Sequence, residues 1–515
     1  MRSRRKEILI VGFFVLIALA GLAFSAEAKE RVIILGDYSV LRTLDPAFVA
    51  LSQDIMISRN IHQSLLRYKF NTSEIEGDLA KSWTVSNDGM GYTFKLLENV
   101  QWHKGFGKFT AHDVKYTFDR ILDPKTAAPT RSEILNEVKE IRVVDDYTVE
   151  FQLKYPCVPF LHKLVGPRGT GIVNSKSVEK FGKDFARNPI GTGPFLFESW
   201  TREQCVLVAN KDFQQREGPP KIDKVIYKII PDVDTCVLAL QKGEVDMLWV
   251  MPREQAVIDR MKAAGRKITF SQRPTWQHLV MNTKKKPFDD VRVRQAIAYA
   301  IDKDSLVKHV FGGMAERLDS LIPKGFFGHT EKDIPRYDYS PEKARELLSK
   351  AGYPNGFEVN LDTFQSPSYL PLATAIADQL RKVGITAKLV VTDQATWWGK
   401  LSKATTDFSL VLPSLQPDAD FPLMRYYHSS AFSPGINVSK YDQLDDLIEK
   451  ARKERDEKRR LEDYYQIQKK LMEDLPVIPL MMMIYAVPYK SHIAGVAERD
   501  YVWGLDFYPM HFVEK

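Results

Sequence analysis

Strand-like runs mark the first half at residues 31–35, 92–97, 147–153 and 224–230, and within them residues 92–96 alternate apolar with polar. A period of two predicts half-buried strands. The period lengthens further on: across 291–301, Val293, Ala296, Ile297, Ala300 and Ile301 share one stripe, which predicts a buried amphipathic helix. Ser340-Pro341-Glu342 joins a capping serine, a first-turn proline and an early acid, so a helix starts there, and Gly352 closes it. Residues 357–363 then read as a strand, 372–383 as a helix ended by Gly384, and 385–391 as a strand. Strand, helix, strand is the unit of a parallel or mixed sheet. A helix over 441–474, halted by Pro476, and an apolar returning strand over 480–487 follow. The fold class is α/β, with interleaved lobes, and ligands in such sheets sit at strand ends or between domains.

The first 28 residues depart from this pattern. Arg2, Arg4, Arg5 and Lys6 precede an apolar run over 8–24 and the small-residue pattern Ala26-Glu27-Ala28, the three parts of a secretory leader. The run is near the lower limit for a membrane span, and Ala26 and Ala28 favour cleavage over an uncleaved anchor, so the mature chain is expected to begin at Lys29. Ser3-Arg4-Arg5 hints at twin-arginine export, whereas Glu7 and the apolar core favour the general secretory route. No cysteine adjoins the cleavage point, so a freely soluble periplasmic form without a lipid anchor is expected. Beyond residue 28 the chain is too long for one core and calls for two or three domains.

Composition adds exclusions. The formal charge of +7 is a mild excess, without the basic runs of a nucleic-acid binder. The densest basic segments, Lys284-Lys285-Lys286 and residues 452–460, read as solvated faces. Cys157, Cys205 and Cys236 lie too far apart to chelate a metal. They are read as structural thiols, with a Cys205–Cys236 pairing left open.

Five segments in register carry a resemblance. They are Thr43-Leu44-Asp45-Pro46; Leu79-Ala80-Lys81-Ser82-Trp83 running through Asn87-Asp88-Gly89 to Phe94; Val100-Gln101-Trp102-His103-Lys104-Gly105 with Phe109-Thr110-Ala111-His112-Asp113; Asn188-Pro189-Ile190-Gly191-Thr192-Gly193-Pro194-Phe195; and Met281-Asn282-Thr283 leading through Pro287-Phe288-Asp289-Asp290 into the 292–302 helix. Each has a local reading: Asn87-Asp88-Gly89 is a turn, Thr110 caps a helix with Asp113 near its positive end, and Gly191-Thr192-Gly193-Pro194 is a tight crossing lacking phosphate-loop spacing. Together they resemble the bacterial extracellular solute-binding proteins of family 5, which serve peptide, nickel and related importers. The resemblance implies a type II periplasmic binding protein fold of cluster C kind, with two lobes on a hinge plus an extra small domain. The first lobe would use 29–70, 186–275 and 484–515, the extra domain 71–185, and the second lobe 276–483. It also implies a monomer that hands a peptide, peptide-like or small organic solute to the permease subunits of an ABC importer.

The chemistry of capture follows from that likeness. No Gly-x-Ser-x-Gly, His-Glu-x-x-His or calcium-loop pattern occurs, so no enzyme, cofactor or metal is expected. A periplasmic hydrolase is the competing class, and an oligosaccharide, opine or metal complex the competing ligand. His428 and His103 read as structural, although some relatives carry nickel. Tyr38, Trp276, Trp397, Trp398 and Trp503 lie near the expected lobe edges, where flat rings accept varied ligands; adjacent Trp397 and Trp398 cannot both face the cleft. Peptide-binding relatives place a tryptophan and, three positions on, an ammonium-binding aspartate in the stretch matching 407–420. Here Leu412 or Pro413 takes the first place and Leu415 or Gln416 the second. Either Asp418 substitutes, or the ligand lacks a free amino terminus, which is the favoured reading because a buried ammonium needs a carboxylate. Asn437 either offers its amide to the cleft or caps a turn.

Overall fold

The computed structural model describes residues 30–129, 131, 136–166, 168–249, 255–366, 369–411, 416–433, 435–497 and 504–513, without the side chains of 271–275. The leader, Leu412, Pro413, Leu415 and Trp503 lie outside the described residues. Two of the strand-like stretches, 31–35 and 224–230, fall in an eleven-stranded sheet, and the other two in a separate sheet. The path of the larger sheet runs Ile385–Thr392, Phe357–Phe364, Phe408–Val411, Lys267–Met281, Val477–Tyr489, Met247–Leu248, Val32–Asp37, Lys224–Ile229, Gln204–Ala209 and Phe195–Trp200, and the eleventh strand, Ala315–Arg317, pairs with Val477–Tyr489 off this path. Val32–Asp37 is parallel to Lys224–Ile229, and Phe357–Phe364 is parallel to Ile385–Thr392 through the helix Tyr369–Arg381. That is the strand, helix, strand unit read from the sequence.

Two long strands join the halves of this path. Lys267–Met281 runs antiparallel to Val477–Tyr489, and their register shifts between Gln272 and Trp276 and again between Gln277 and His278. Irregular pairing bends a strand and locally increases its twist. At the break Gln277 is fully buried, and neither end of its amide has a hydrogen-bond partner.

A separate four-stranded sheet, Ala80–Val85, Gly91–Leu96, Thr148–Leu153 and Val138–Asp145, fills part of the intervening chain. Phe94, Phe118, Phe151 and Phe160 are fully buried against one another. The helix Ala111–Leu122 closes this core, and its start is a reciprocal capping box between Thr110 and Asp113. Asp113 also accepts a 3.2 Å hydrogen bond from the Trp102 indole. The Gly191-Thr192-Gly193 crossing passes so close to Ile61 that a Cβ on Gly191 would lie 1.9 Å from its carbonyl oxygen. Only glycine fits there.

Local signals placed the helices well, with two corrections. Ser340 caps Pro341–Lys350 by accepting from the Lys343 amide. The expected single helix over 441–474 is instead two, Asp445–Lys453 and Glu457–Asp474. Asp456 caps the second by accepting from the Arg459 amide, which ends the first before it. The basic segment 452–460 is not a solvated face throughout: Arg452 and Arg460 are buried, each against carboxylates. All three cysteines are buried and none is in a disulfide, which closes the Cys205–Cys236 option. No helix of the described residues is long and apolar enough to cross a membrane.

Candidate functional site

A cleft of about 660 Å³ separates residues 136–168 from residues 398–452. Asn136, Tyr155, Lys163 and Arg168 line one wall, and Trp398, Gln416, Phe421, Met424, Arg425 and His428 the other. Sequence distance is large across it, but charge ties the walls together. Glu137 lies 2.8 Å from Lys163 and also pairs with Arg452, whose Nε is 3.4 Å from Asp420. All four side chains are almost wholly buried. Burial alone would raise the Glu137 carboxyl, but Lys163 and Arg452 hold it below the usual range. Asp420 goes the other way, because burial outweighs the attraction of Arg452 and Lys163. Main-chain contacts follow the same line: the Val158 amide donates to the Arg452 carbonyl, and Arg455 donates to the Asn87 carbonyl at 2.6 Å.

A smaller recess of about 130 Å³ lies at the end of strand Val32–Asp37, where Asp37, Tyr38, Ser39 and Gln53 face Trp249 and Tyr485. Burial pushes the Asp37 carboxyl up to about 6. Trp249 and Tyr485 pack with ring centroids 5.7 Å apart. Such rings present flat apolar surface with a polar edge to a ligand.

The residues singled out from the sequence divide three ways. Trp398, 36% exposed, and Gln416 line the large cleft, and Tyr38 lines the recess. Trp397 turns inward, buried against Phe364 and Tyr369 with its indole donating to Ser409 at 3.2 Å. Trp276 is fully buried beside Phe326 and His278, and its indole nitrogen has no partner. Both are packing residues in this arrangement. Asp418, the candidate substitute for the ammonium-binding aspartate, is engaged within the protein. It is fully buried and Arg460 holds both of its oxygens, at 2.7 and 2.6 Å. Asn437 takes its turn-capping role: its amide donates to the His428 and Tyr441 carbonyls and accepts from Ser439. Leu415 and Trp503 are outside the described residues.

Reading the sequence missed Lys163, Arg168, Arg425 and Trp249, which no motif marks. His428 lines the cleft, accepts from the Ser430 amide and sits 3.7 Å from Glu449. Among the described residues no group of three or more histidine, cysteine or carboxylate side chains is arranged to hold a metal ion.

Known proteins share this architecture. Residues 74–434 match the model of the bacterial extracellular solute-binding proteins, family 5. The glutathione-binding protein GsiB of Shigella flexneri serotype 5b is 30% identical over 489 residues, covering 93% of each chain. Among solved structures, the periplasmic binding protein DppA of Helicobacter pylori, in complex with the peptide STSA, superposes with a TM-score of 0.82 at 29% identity, over 95% of this chain and 100% of its own. AgaA of A. tumefaciens R10, in complex with agropinic acid, gives 0.80 at 30% identity, over 94% of this chain and 99% of its own. A large sheet crossed by two long paired strands, a lined cleft between walls far apart in sequence, and a family match spanning most of the chain agree, and the chain belongs to the bacterial extracellular solute-binding proteins of family 5.

Proposed function

We propose that this solute-binding protein captures a carboxylate-bearing, peptide-like solute between its lobes and delivers it to the permease of an ABC importer. The observation that carries the choice of solute is the cleft lining, in which Arg168 and Arg425 accompany the apolar faces of Trp398, Phe421 and Met424. Guanidinium groups match carboxylates with paired hydrogen bonds. Peptides, glutathione and agropinic acid, the ligands of the relatives, are all carboxylic acids. Asp418, committed to Arg460, offers no carboxylate to an α-ammonium, which supports a ligand anchored by its acid end. The lobes would exchange across the register breaks of Lys267–Met281 and Val477–Tyr489, with the boundaries near 275 and 483 and the extra domain over 71–185. Release of residues 1–28 on export would leave the monomeric protein in the periplasm.

The test is thermal denaturation of the chain from residue 29, stripped of solute by partial unfolding. Glutathione, N-acetylated and free tripeptides, agropinic acid, sugars and nickel–histidine would each be added in turn. A ligand that binds only the native state raises the melting temperature. Stabilisation by the acids, acetylated peptides included, is expected; stabilisation by sugars alone would refute the carboxylate reading.

A further inference from the structure

A second cavity, of about 470 Å³, shares no lining residue with the cleft. The hairpin Leu66–Tyr68 and Ile75–Gly77, the loop at 216–221 and residues 504–509 enclose it. Its distinctive feature is two guanidinium groups held side by side. Arg216 has a left-handed backbone, φ 60°, uncommon for a side chain of this size. Its guanidinium lies over the Tyr508 ring at 5.0 Å and the Phe213 ring at 5.8 Å. It donates to Asp78 at 3.2 Å and stands 3.6 Å from Asp506. Arg67 pairs with Glu76 at 2.6 Å. The Nε of Arg67 and the Nε of Arg216 are both buried, and neither has a hydrogen-bond partner. Burial, and then the charge of Arg216, lower the pKa of Arg67, so the two cations repel.

Each guanidinium is answered by carboxylates, Arg67 by Glu76 and Arg216 by Asp78 and Asp506, and both also line the cavity. Lys69, Lys221 and Arg59 also face this space, so among the described lining residues five cations stand with the three carboxylates of Glu76, Glu217 and Asp506, while Asp78 and Glu74 pair with Arg216 and Lys69 from outside the lining. Phe70, 47% exposed, and Tyr68 supply an apolar side. We propose that this cavity is a second binding site, for a small organic phosphate, whose oxygens accept from Arg67 and Arg216 while its organic part lies against Phe70. Arginine pairs are suited to a dianionic oxyanion because each fork supplies directed donors as well as charge.

The experiment is isothermal titration of the chain from residue 29 with phenyl phosphate, with benzoate and inorganic phosphate as further probes, at low ionic strength. Saturable one-to-one binding of phenyl phosphate is expected, tighter than that of benzoate. Arg67→Gln should weaken it by about tenfold or more and leave capture of the cleft solute unchanged, whereas Arg425→Gln, in the cleft, should leave phenyl phosphate binding unchanged. Lys221→Gln, at an exposed position, gives the same reading with a smaller loss should Arg67→Gln fold poorly. Absence of saturable binding to the unaltered chain overturns the proposal. So does equal binding by the Arg67 and Lys221 variants, or loss of binding in Arg425→Gln, which would place the phosphate in the cleft. Benzoate binding as tightly as phenyl phosphate overturns the choice of a dianion.

Discussion

Asp418 shows how one residue's role turns on whether its charge is already answered. Its carboxylate is enclosed with Arg460, which also stacks over Phe327 at 4.7 Å. Replacing Asp418 with Asn leaves a buried guanidinium uncompensated, a change that costs about 3–5 kcal/mol. The expected result is a lower urea midpoint with unaltered ligand preference among the folded fraction; a changed preference at unchanged stability would return Asp418 to the ligand. Histidines set the response to pH. Burial pushes His62 down to about 4, and His103 and His278 down to about 3. Their neutral forms are kept in the fold, while the unfolded chain takes up protons near about 6.5. The stability they contribute is therefore fully present above about pH 6.5 and is lost as pH falls through the range towards 4. Asp37 and Asp54, raised by burial to about 6, act in the opposite sense, losing stability as pH rises from about 4 to 6. Three histidine shifts, about 3–5 kcal/mol each, outweigh two aspartate shifts of about 3 kcal/mol. Urea midpoints measured at about pH 7, 5.5 and 4.5 should fall in that order, and a rise on acidification would contradict the balance.

Elements were legible where their causes are local. The Ser340-Pro341 start, the Thr110 cap with Asp113 in its first turn and the strand, helix, strand unit from 357 to 392 each need only neighbouring residues, and each formed as read. The break between Asp445–Lys453 and Glu457–Asp474 was missed, because the charged run 452–460 reads as the solvated face of one helix, whereas Asp456 acts within it as a cap. Partners far apart in the chain were not readable at all. Arg452 meets Glu137 across 315 positions, so a segment that looks solvated becomes core. The same reasoning hides the cleft lining, since Arg168 and Arg425 converge only through the tertiary fold. The paired strands between the halves of the large sheet carry a further expectation. Gln277 keeps both amide atoms buried without partners at the register break, so Gln277→Met, similar in shape, should gain about 1 kcal/mol in urea denaturation. Loss of solute binding without a gain in stability would show that the amide acts in the moving hinge instead.

Across the whole molecule, the ion network of Glu137, Lys163, Asp420 and Arg452 fastens the two walls of the cleft. Arg452→Met removes the cation shared by Glu137 and Asp420, and the walls should part. Small-angle scattering is expected to give a larger radius of gyration for the solute-free variant, with solute affinity reduced about tenfold by the lower population of the closed form. An unchanged radius with unchanged affinity would rule the network out as a clasp. The order of the large sheet has a consequence for biogenesis. Val477–Tyr489, among the last strands made, lies in the middle of the sheet between Lys267–Met281 and Met247–Leu248, and Val32–Asp37, the first, lies one strand further on. The sheet's centre stays vacant until synthesis has passed residue 489, so topology holds the polypeptide in an incomplete, threadable form up to that point.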